Sequence, residues 1–287
     1  PQPVRAACLG VAGPVIDGRC QTTNLPWVVD VAELAELTGS PHAALLNDLE
    51  STAYSLDHLQ PEEMHELQSG KVHAEGNRAV IAAGTGLGEA GLFWTGRSYR
   101  PFASEGGHCD FAPRNDLQMD LLNHLLRRYE HVSWERVLSG PGLVNIYEFF
   151  RDRDPSLASP NVAEEMTGEN AAAVISQAAL DQRCPVCIES LCLFVSFYGA
   201  EAGNLALKLL ALCLTAEESL RVKLQKSVGA LVASPVLRRD GIRECLAPLA
   251  EPVGDIVPVF GQRRFRVPAR GQLPLLDPPH FIAKAGK

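Results

Sequence analysis

The chain has 287 residues, of which 46% are hydrophobic, so it can bury the core of one large domain or of two modest ones. A formal net charge of −8 at pH 7 argues against a surface for nucleic acid or for an anionic membrane. No secretory leader is expected at the N-terminus, and every apolar run long enough to cross a membrane contains a charge. The eight cysteines lie scattered in apolar surroundings, which predicts free thiols and a cytoplasmic location.

The N-terminal part of the chain predicts two strands and two helices. Strands are expected over 6–11 and 42–46, and helices over 31–39 and 49–59. The first helix begins after a capping-box-like pattern and ends at a glycine. Residues 60–76 are polar and rich in glutamate, which predicts a connection between two lobes.

Two positions in this part are candidate ligand-binding sites. Asn47 and Asp48 follow a predicted strand, and open α/β sheets bind ligands at the carboxyl ends of their strands. The alternative is that Asp48 only caps the following helix. Asn24 lies in a polar cluster ending at Trp27; a loop with a partly buried tryptophan is the simpler interpretation, and a ligand-facing loop is the other.

Residues 79–113 are the stretch around which the chain is organised. An apolar run leads into Gly84-Thr85-Gly86, the glycine turn, and a second apolar run follows it, which predicts two strands joined by a phosphate-binding hairpin. A plain tight hairpin would have the same pattern. The segment Ser104-Glu105-Gly106-Gly107-His108-Cys109-Asp110 then gathers Glu, His and Asp around two glycines, which suits a site better than a core. A solvated loop is the alternative for this segment.

The remainder of the chain is predicted to be largely helical. Helices are expected over 117–129, 143–151, 168–182 and 186–214. The pattern Cys184-Pro-Val-Cys187 has no second cysteine pair or histidine pair to complete four zinc ligands, so these two cysteines are interpreted as structural.

Seven stretches match the motifs of one enzyme family in the family's order. They are GVAGPV at 10–15, TNLPW at 23–27, LLND at 45–48, AGTGLGEA at 83–90, SEGGHCDFAP at 104–113, ERVLSGPGLVNIY at 135–147 and GAEAGNLALK at 199–208. Through them, residues 6–211 resemble the bacterial-type ATP-dependent glucokinases of the hexokinase–actin fold. The resemblance implies a two-lobed α/β (ribonuclease-H-like) fold, with the remainder of a small α/β lobe in residues 1–60 and a large α+β lobe in residues 61–212.

The resemblance also implies the role of each candidate residue. Asp48 would be the base for the sugar 6-hydroxyl, and the glycine turn would face the phosphates of ATP, which is bound with Mg²⁺. The sugar hydroxyls would be held by Asn47, Glu105, His108 and Glu135, with Asn24 on the sugar side at second rank. No side chain is implied as a metal ligand. Carboxylates, an amide and an imidazole suit a sugar because each hydroxyl both donates and accepts hydrogen bonds.

Two departures from the family concern the nucleotide. Family members open with a strand and a D-x-GGTN turn that grips phosphate, and this chain is expected to begin after it. The family's GGVYIGGGIAP-like adenosine turn has no counterpart after residue 212. Residues 213–287 are instead basic and rich in proline, which predicts a divergent, poorly ordered tail. Little or no glucose phosphorylation is therefore expected of this chain by itself.

Three functions are weighed on this basis. A glucokinase leads, with phosphoryl transfer from MgATP to glucose feeding glycolysis. A non-catalytic sugar-binding or regulatory protein is the alternative. A sugar-kinase-type repressor is disfavoured because no helix-turn-helix segment or cysteine-rich zinc loop is found. The expected partners are glucose and ATP, without nucleic acid or membrane, and a homodimer is among the oligomeric states left open.

Overall fold

The computed structural model describes residues 4–22, 25–68, 76–167, 170–216 and 280–284. Its strands are β1 (Ala7–Val11), β2 (Arg19–Gln21), β3 (Val28–Asp30), β4 (Ala43–Asn47), β5 (Met64–Gln68), β6 (Asn77–Ala83), β7 (Leu87–Trp94), β8 (Tyr99–Ser104), β9 (Ala211–Ala216) and β10 (His280–Lys284). Its helices are α1 (Val31–Thr38), α2 (Asp48–Ser55), α3 (Asp116–Leu125), α4 (Gly140–Arg153), α5 (Pro160–Glu165), α6 (Ala171–Leu180) and α7 (Pro185–Leu209).

A mixed sheet of six strands is the centre of the described fold. Its order is β5-β10-β9-β6-β7-β8. Strand β9 runs parallel to both of its neighbours, β10 and β6. Strands β6 and β7 pair antiparallel with Ala83 opposite Leu87, so the glycine turn joins a hairpin, as predicted. Strand β8 continues this meander and delivers the chain to Glu105.

The main hydrophobic core lies on one face of this sheet. Helices α4, α6 and α7 pack there, and Tyr198 of α7 donates a hydrogen bond to the carbonyl of Ile81 at 2.9 Å. By length and composition α7 could span a membrane, the one helix in the described ranges that could, but most of its apolar window is buried inside the protein. Packing on the sheet accounts for that composition.

The N-terminal part of the chain covers the other face of the sheet. Strands β1 and β4 form a parallel pair, and α2 follows β4 directly and packs on β7 and β8. Ala53 of α2 forms a small core with Val80, Ala90 and Leu92. The predicted start and end of α1 are confirmed, because Asp30 caps its N-terminus and Gly39 adopts φ 61° after its last residue.

Two predicted segments were wrong. The helix expected over 186–214 ends at Leu209, Leu210 adopts φ 50°, and the following apolar run forms β9 between β6 and β10. An apolar run fits a buried strand and a buried helix equally well, and pairing with β6 decides. The segment 60–76, expected to be a connection, contains β5 at the sheet edge. Of the expected tail 213–287, residues 213–216 and 280–284 lie in the sheet, and residues 217–279 lie outside the described residues.

Candidate active site

Asn47 and Asp48 lie at the junction of β4 and α2 and have different surroundings. Asn47, rather than Asp48, is the N-cap: its Oδ1 accepts from the backbone N–H groups of Leu49 at 3.0 Å and Glu50 at 3.3 Å. Its Nδ2 donates to the carbonyl of Gly13 at 3.2 Å, so both ends of this buried amide are engaged. Asp48 is exposed, and its Oδ1 accepts from the N–H of Leu49 at 2.9 Å. The helix cap thus leaves the Asp48 carboxylate facing solvent.

Asp48 and Glu105 lie on different elements, and both act electrostatically on one residue. Cys20 is a buried thiol whose pKa is raised by burial first, and then by the charges of Asp48 and Glu105. Both carboxylates therefore lie near enough to Cys20 for their charges to affect it. The start of α2 is also held tightly against the hairpin, because a Cβ on Gly88 would overlap the side chain of Leu49. No pattern in the sequence pointed to Cys20 as a neighbour of the site.

Glu105 precedes a 3-10 turn, Gly106–His108, that ends at His108 and packs on β7. The N–H of Cys109 donates to the carbonyl of Gly106 at 2.9 Å, and a Cβ on Gly107 would overlap the carbonyl oxygen of Leu87. Only glycine permits this approach. Glu105 Oε2 and His108 Nε2 lie 3.9 Å apart, and both side chains are exposed. The turn thus presents a carboxylate and an imidazole side by side.

Glu135 reaches the site from the 3-10 turn Trp134–Arg136. Its Oε2 accepts a hydrogen bond from the N–H of Leu87 at 3.0 Å, and a Cβ on Gly86 would lie 2.5 Å from the same oxygen. A cleft of about 340 Å³ is lined by both Glu135 and His108. The structure therefore links Glu105 with His108 by proximity and His108 with Glu135 through one cleft, whereas Asp48 and Glu105 share only their electrostatic effect on Cys20. Asn24 lies outside the described residues.

The glycine turn has a closed inner side and an open outer side. The N–H of Gly84 donates to the carbonyl of Gly86, and the N–H of Gly140 donates to the carbonyl of Gly84, each at 2.8 Å. Gly84 and Thr85 are exposed, and a Cβ on Gly84 would meet nothing within 4 Å. Neither Gly84 nor Gly86 adopts a positive φ, so at Gly86 the close approach of Glu135, rather than turn strain, accounts for glycine. A ligand can approach the outer side without steric hindrance.

The start of α4 lies beside the glycine turn. Ser139 caps this helix, with its Oγ accepting from the N–H of Gly142 at 3.0 Å and donating to the carbonyl of Glu135 at 2.7 Å. A helix N-terminus carries a partial positive charge, which favours anions. In the part of the chain that the structure describes, no group of three or more His, Cys, Asp or Glu side chains could hold a metal ion.

Comparison with known proteins gives the family. The family model described as Glucokinase matches residues 1–213. The glucokinase of Nostoc punctiforme is 43% identical over 217 residues, which cover 71% of this chain and 64% of that protein. The chain thus spans less than two thirds of that relative's length.

Two solved structures have the same fold. One is the glucokinase of Balamuthia mandrillaris in complex with glucose, with a TM-score of 0.73, 18% identity and coverage of 99% of this chain and 75% of that one. The other is a ROK family glucokinase from Streptomyces griseus in complex with glucose and AMPPNP, with a TM-score of 0.54, 19% identity and coverage of 85% and 72%. The expected hexokinase/actin-like fold is therefore confirmed. Since the family model covers most of the chain and the Nostoc relative is similar over 71% of it, the chain belongs to the glucokinase family.

Proposed function

We propose that this chain carries the sugar site and part of the nucleotide site of a glucokinase, which transfers a phosphoryl group from MgATP to the 6-hydroxyl of glucose. The observation that carries the proposal is the hydrogen bond from the N–H of Leu87, directly after the glycine turn, to Glu135, which lines one cleft with His108. His108 in turn lies beside Glu105, and Glu105 and Asp48 both act electrostatically on Cys20. Glu135 belongs to the proposed sugar site and also contacts the glycine turn, so glucose and ATP would be held next to each other. The relatives' glucokinase name and the glucose in the two structural neighbours support the same substrate.

Asp48 is proposed as the catalytic base. As the sugar 6-oxygen bonds to the γ-phosphorus, the bond from that phosphorus to the β–γ bridging oxygen breaks and ADP leaves with the electron pair. The hydroxyl proton passes to the Asp48 carboxylate. An exposed carboxylate suffices, since the proton is released only as the new bond forms.

Glu105, His108 and Glu135 are proposed to hold the sugar hydroxyls. Carboxylates accept, and the imidazole donates or accepts with its tautomer, so together they match a ring of hydroxyl groups. Asn47 is proposed as a further sugar contact through the same amide that caps α2. Asn24 is proposed on the same side of the sugar.

The outer side of the glycine turn is proposed to receive the phosphates of ATP. The open space over Gly84 and the adjacent N-terminus of α4 fit an anionic group. Mg²⁺ typically takes one or two carboxylates together with phosphate oxygens, and when bound it neutralises phosphate charge. No described residue is assigned as its ligand. Residues 1–60 and 61–212 are proposed as the two lobes. The protein is proposed to be a cytoplasmic enzyme of glycolysis.

A pair of titrations on the purified chain tests the proposal. Glucose is titrated first by calorimetry, then MgATP is added to the glucose complex, and a coupled assay measures turnover. Glucose binding that is lost in Glu105→Gln and Glu135→Gln supports the sugar site. Glucose binding without any binding of ATP would favour the non-catalytic alternative, and absence of glucose binding would refute the proposal.

A further inference from the structure

Glu89 of β7 is a buried carboxyl that the proposed mechanism does not use. Its side chain is 1% exposed, and neither carboxyl oxygen has a hydrogen-bond partner among the described residues. Burying a polar group without a partner costs free energy, so such a group in a folded protein requires a physical explanation.

The charges around Glu89 account for its ionisation state. Glu201 of α7 is fully buried, and its charge acts on Glu89. It accepts hydrogen bonds from Asn204 Nδ2 at 2.7 Å and from Lys208 Nζ at 3.2 Å. The Lys208 ammonium group thus acts on the carboxyls of both Glu89 and Glu201, but its hydrogen bond is to Glu201. Burial first, and then the charge of Glu201, raise the pKa of Glu89 to about 8, against the opposing effect of Lys208. Near neutral pH Glu89 is mostly uncharged, and its carboxyl is compatible with an apolar site.

The position of Glu89 connects it to the sugar side. A Cβ on Gly106 would overlap Glu89 Oε2, so the carboxyl lies directly beneath the turn between Glu105 and His108. Ser104, which is opposite Glu89 in the β7–β8 ladder, accepts from the N–H of Gly106 at 3.0 Å. The turn therefore rests on the Glu89 side chain and is tied to β8 beside it.

We propose that Glu89 is a positioning residue for glucose binding, whose uncharged carboxyl supports Gly106 so that Glu105 and His108 keep the geometry that holds the sugar. The proposal rests on the proposed function. Burial also raises the pKa of Glu201, against the hydrogen bonds from Asn204 and Lys208. Ionisation of Glu89 would therefore add negative charge to a buried pair of carboxyls, below Glu105. Among the described residues, Lys208 is the cation whose charge lowers the pKa of Glu89, and it is already bonded to Glu201. Repulsion would then displace the turn and weaken sugar binding.

Two substitutions and one control separate charge from shape. Glu89→Gln keeps the size of the side chain and cannot ionise, whereas Glu89→Ala removes the support. Glu36→Gln removes a charge from an exposed position of α1 and is the matched control. For each protein, glucose affinity is measured by calorimetry from about pH 6.5 to about pH 9.5, with backbone amide exchange of His108 and Cys109 followed by NMR.

The parent and the Glu36→Gln control should lose glucose affinity as pH rises through about 8, whereas Glu89→Gln should keep it, with a difference on the order of tenfold at the alkaline end. Glu89→Ala should bind glucose about tenfold more weakly at every pH and exchange the two amides faster. Identical pH profiles in the parent and Glu89→Gln overturn the proposal, even where Glu89→Ala fails to fold. Absence of glucose binding in the parent refutes the proposed function instead. Amide exchange of His108 and Cys109 then tests whether Glu89 supports the turn. Exchange at alkaline pH that is the same in Glu89→Gln as in the parent overturns that support.

Discussion

The carboxylate of Glu135 accepts a hydrogen bond from the backbone N–H of Leu87 at 3.0 Å, which joins a predicted sugar contact to the first residue after the glycine turn. The two residues are 48 positions apart in the chain. Because the carboxylate also lies against Gly86, a shift of the turn must move Glu135, and the reverse. The phosphate side and the sugar side of the proposed site are therefore mechanically connected.

Asp48→Asn should lower phosphoryl transfer by roughly 100- to 10,000-fold, the usual cost of losing a general base, while glucose affinity changes little. The fold should be kept, because asparagine can still accept from the N–H of Leu49 and Asn47 remains the cap. The comparison requires an active parent, with Asp120→Asn on the exposed face of α3 as the control. Turnover within a few-fold of the parent would show that Asp48 is not the base.

Gly86→Ala and Gly84→Ala form a matched pair. The methyl group at residue 86 would meet Glu135 Oε2, so this variant should lose about 1–3 kcal/mol of stability and bind glucose more weakly. The methyl group at residue 84 meets nothing within 4 Å, so stability and glucose affinity should be retained while ATP affinity falls. Urea unfolding and the two titrations measure these effects. Equal effects of the two substitutions on glucose binding would contradict the role of the Gly86–Glu135 contact.

The thiol of Cys20 should report on the two carboxylates beside it. Burial, Asp48 and Glu105 all raise its pKa, so its thiolate fraction and its alkylation rate should be low. Replacing both carboxylates by amides should increase alkylation of Cys20 at a fixed pH without changing that of the exposed Cys8. Peptide mass spectrometry after timed iodoacetamide treatment gives both rates. If the rate at Cys20 is insensitive to the double substitution, Asp48 and Glu105 do not converge on it.

Glu89 should make the protein less stable as pH rises. Its pKa is about 8 in the folded chain and near 4.5 when exposed, so the folded state binds more protons between these values. The free energy of unfolding should then fall across that window, by on the order of a few kcal/mol, and level off above pH 8. Urea unfolding at a series of pH values should show this slope in the parent and a shallower one in Glu89→Gln, where the raised pKa of Glu201 still contributes. A slope in Glu89→Gln as steep as that of the parent would assign it to other groups.

Features fixed by neighbouring residues could be predicted from the sequence. Asp30 and Gly39 bound α1 through hydrogen bonds within a few positions, and the glycine turn forms a hairpin because two β-forming runs flank it. The family resemblance predicted site roles for Asp48, Glu105, His108 and Glu135, which stay predictions, and the fold it implied is confirmed by the structural neighbours.

Features that depend on distant contacts were decided by the tertiary structure alone. The run 211–216 became a strand because β6 pairs with it, although its composition suits a helix as well. Asn47 is the cap of α2, the role weighed for Asp48 as an alternative, and its amide also donates to the carbonyl of Gly13. The charge of Glu201 acts on Glu89 only because α7 packs on the sheet, and burial together with that charge raises the pKa of Glu89. Local sequence determines hydrogen bonds over a few residues, whereas burial and charge proximity exist only once the chain has packed.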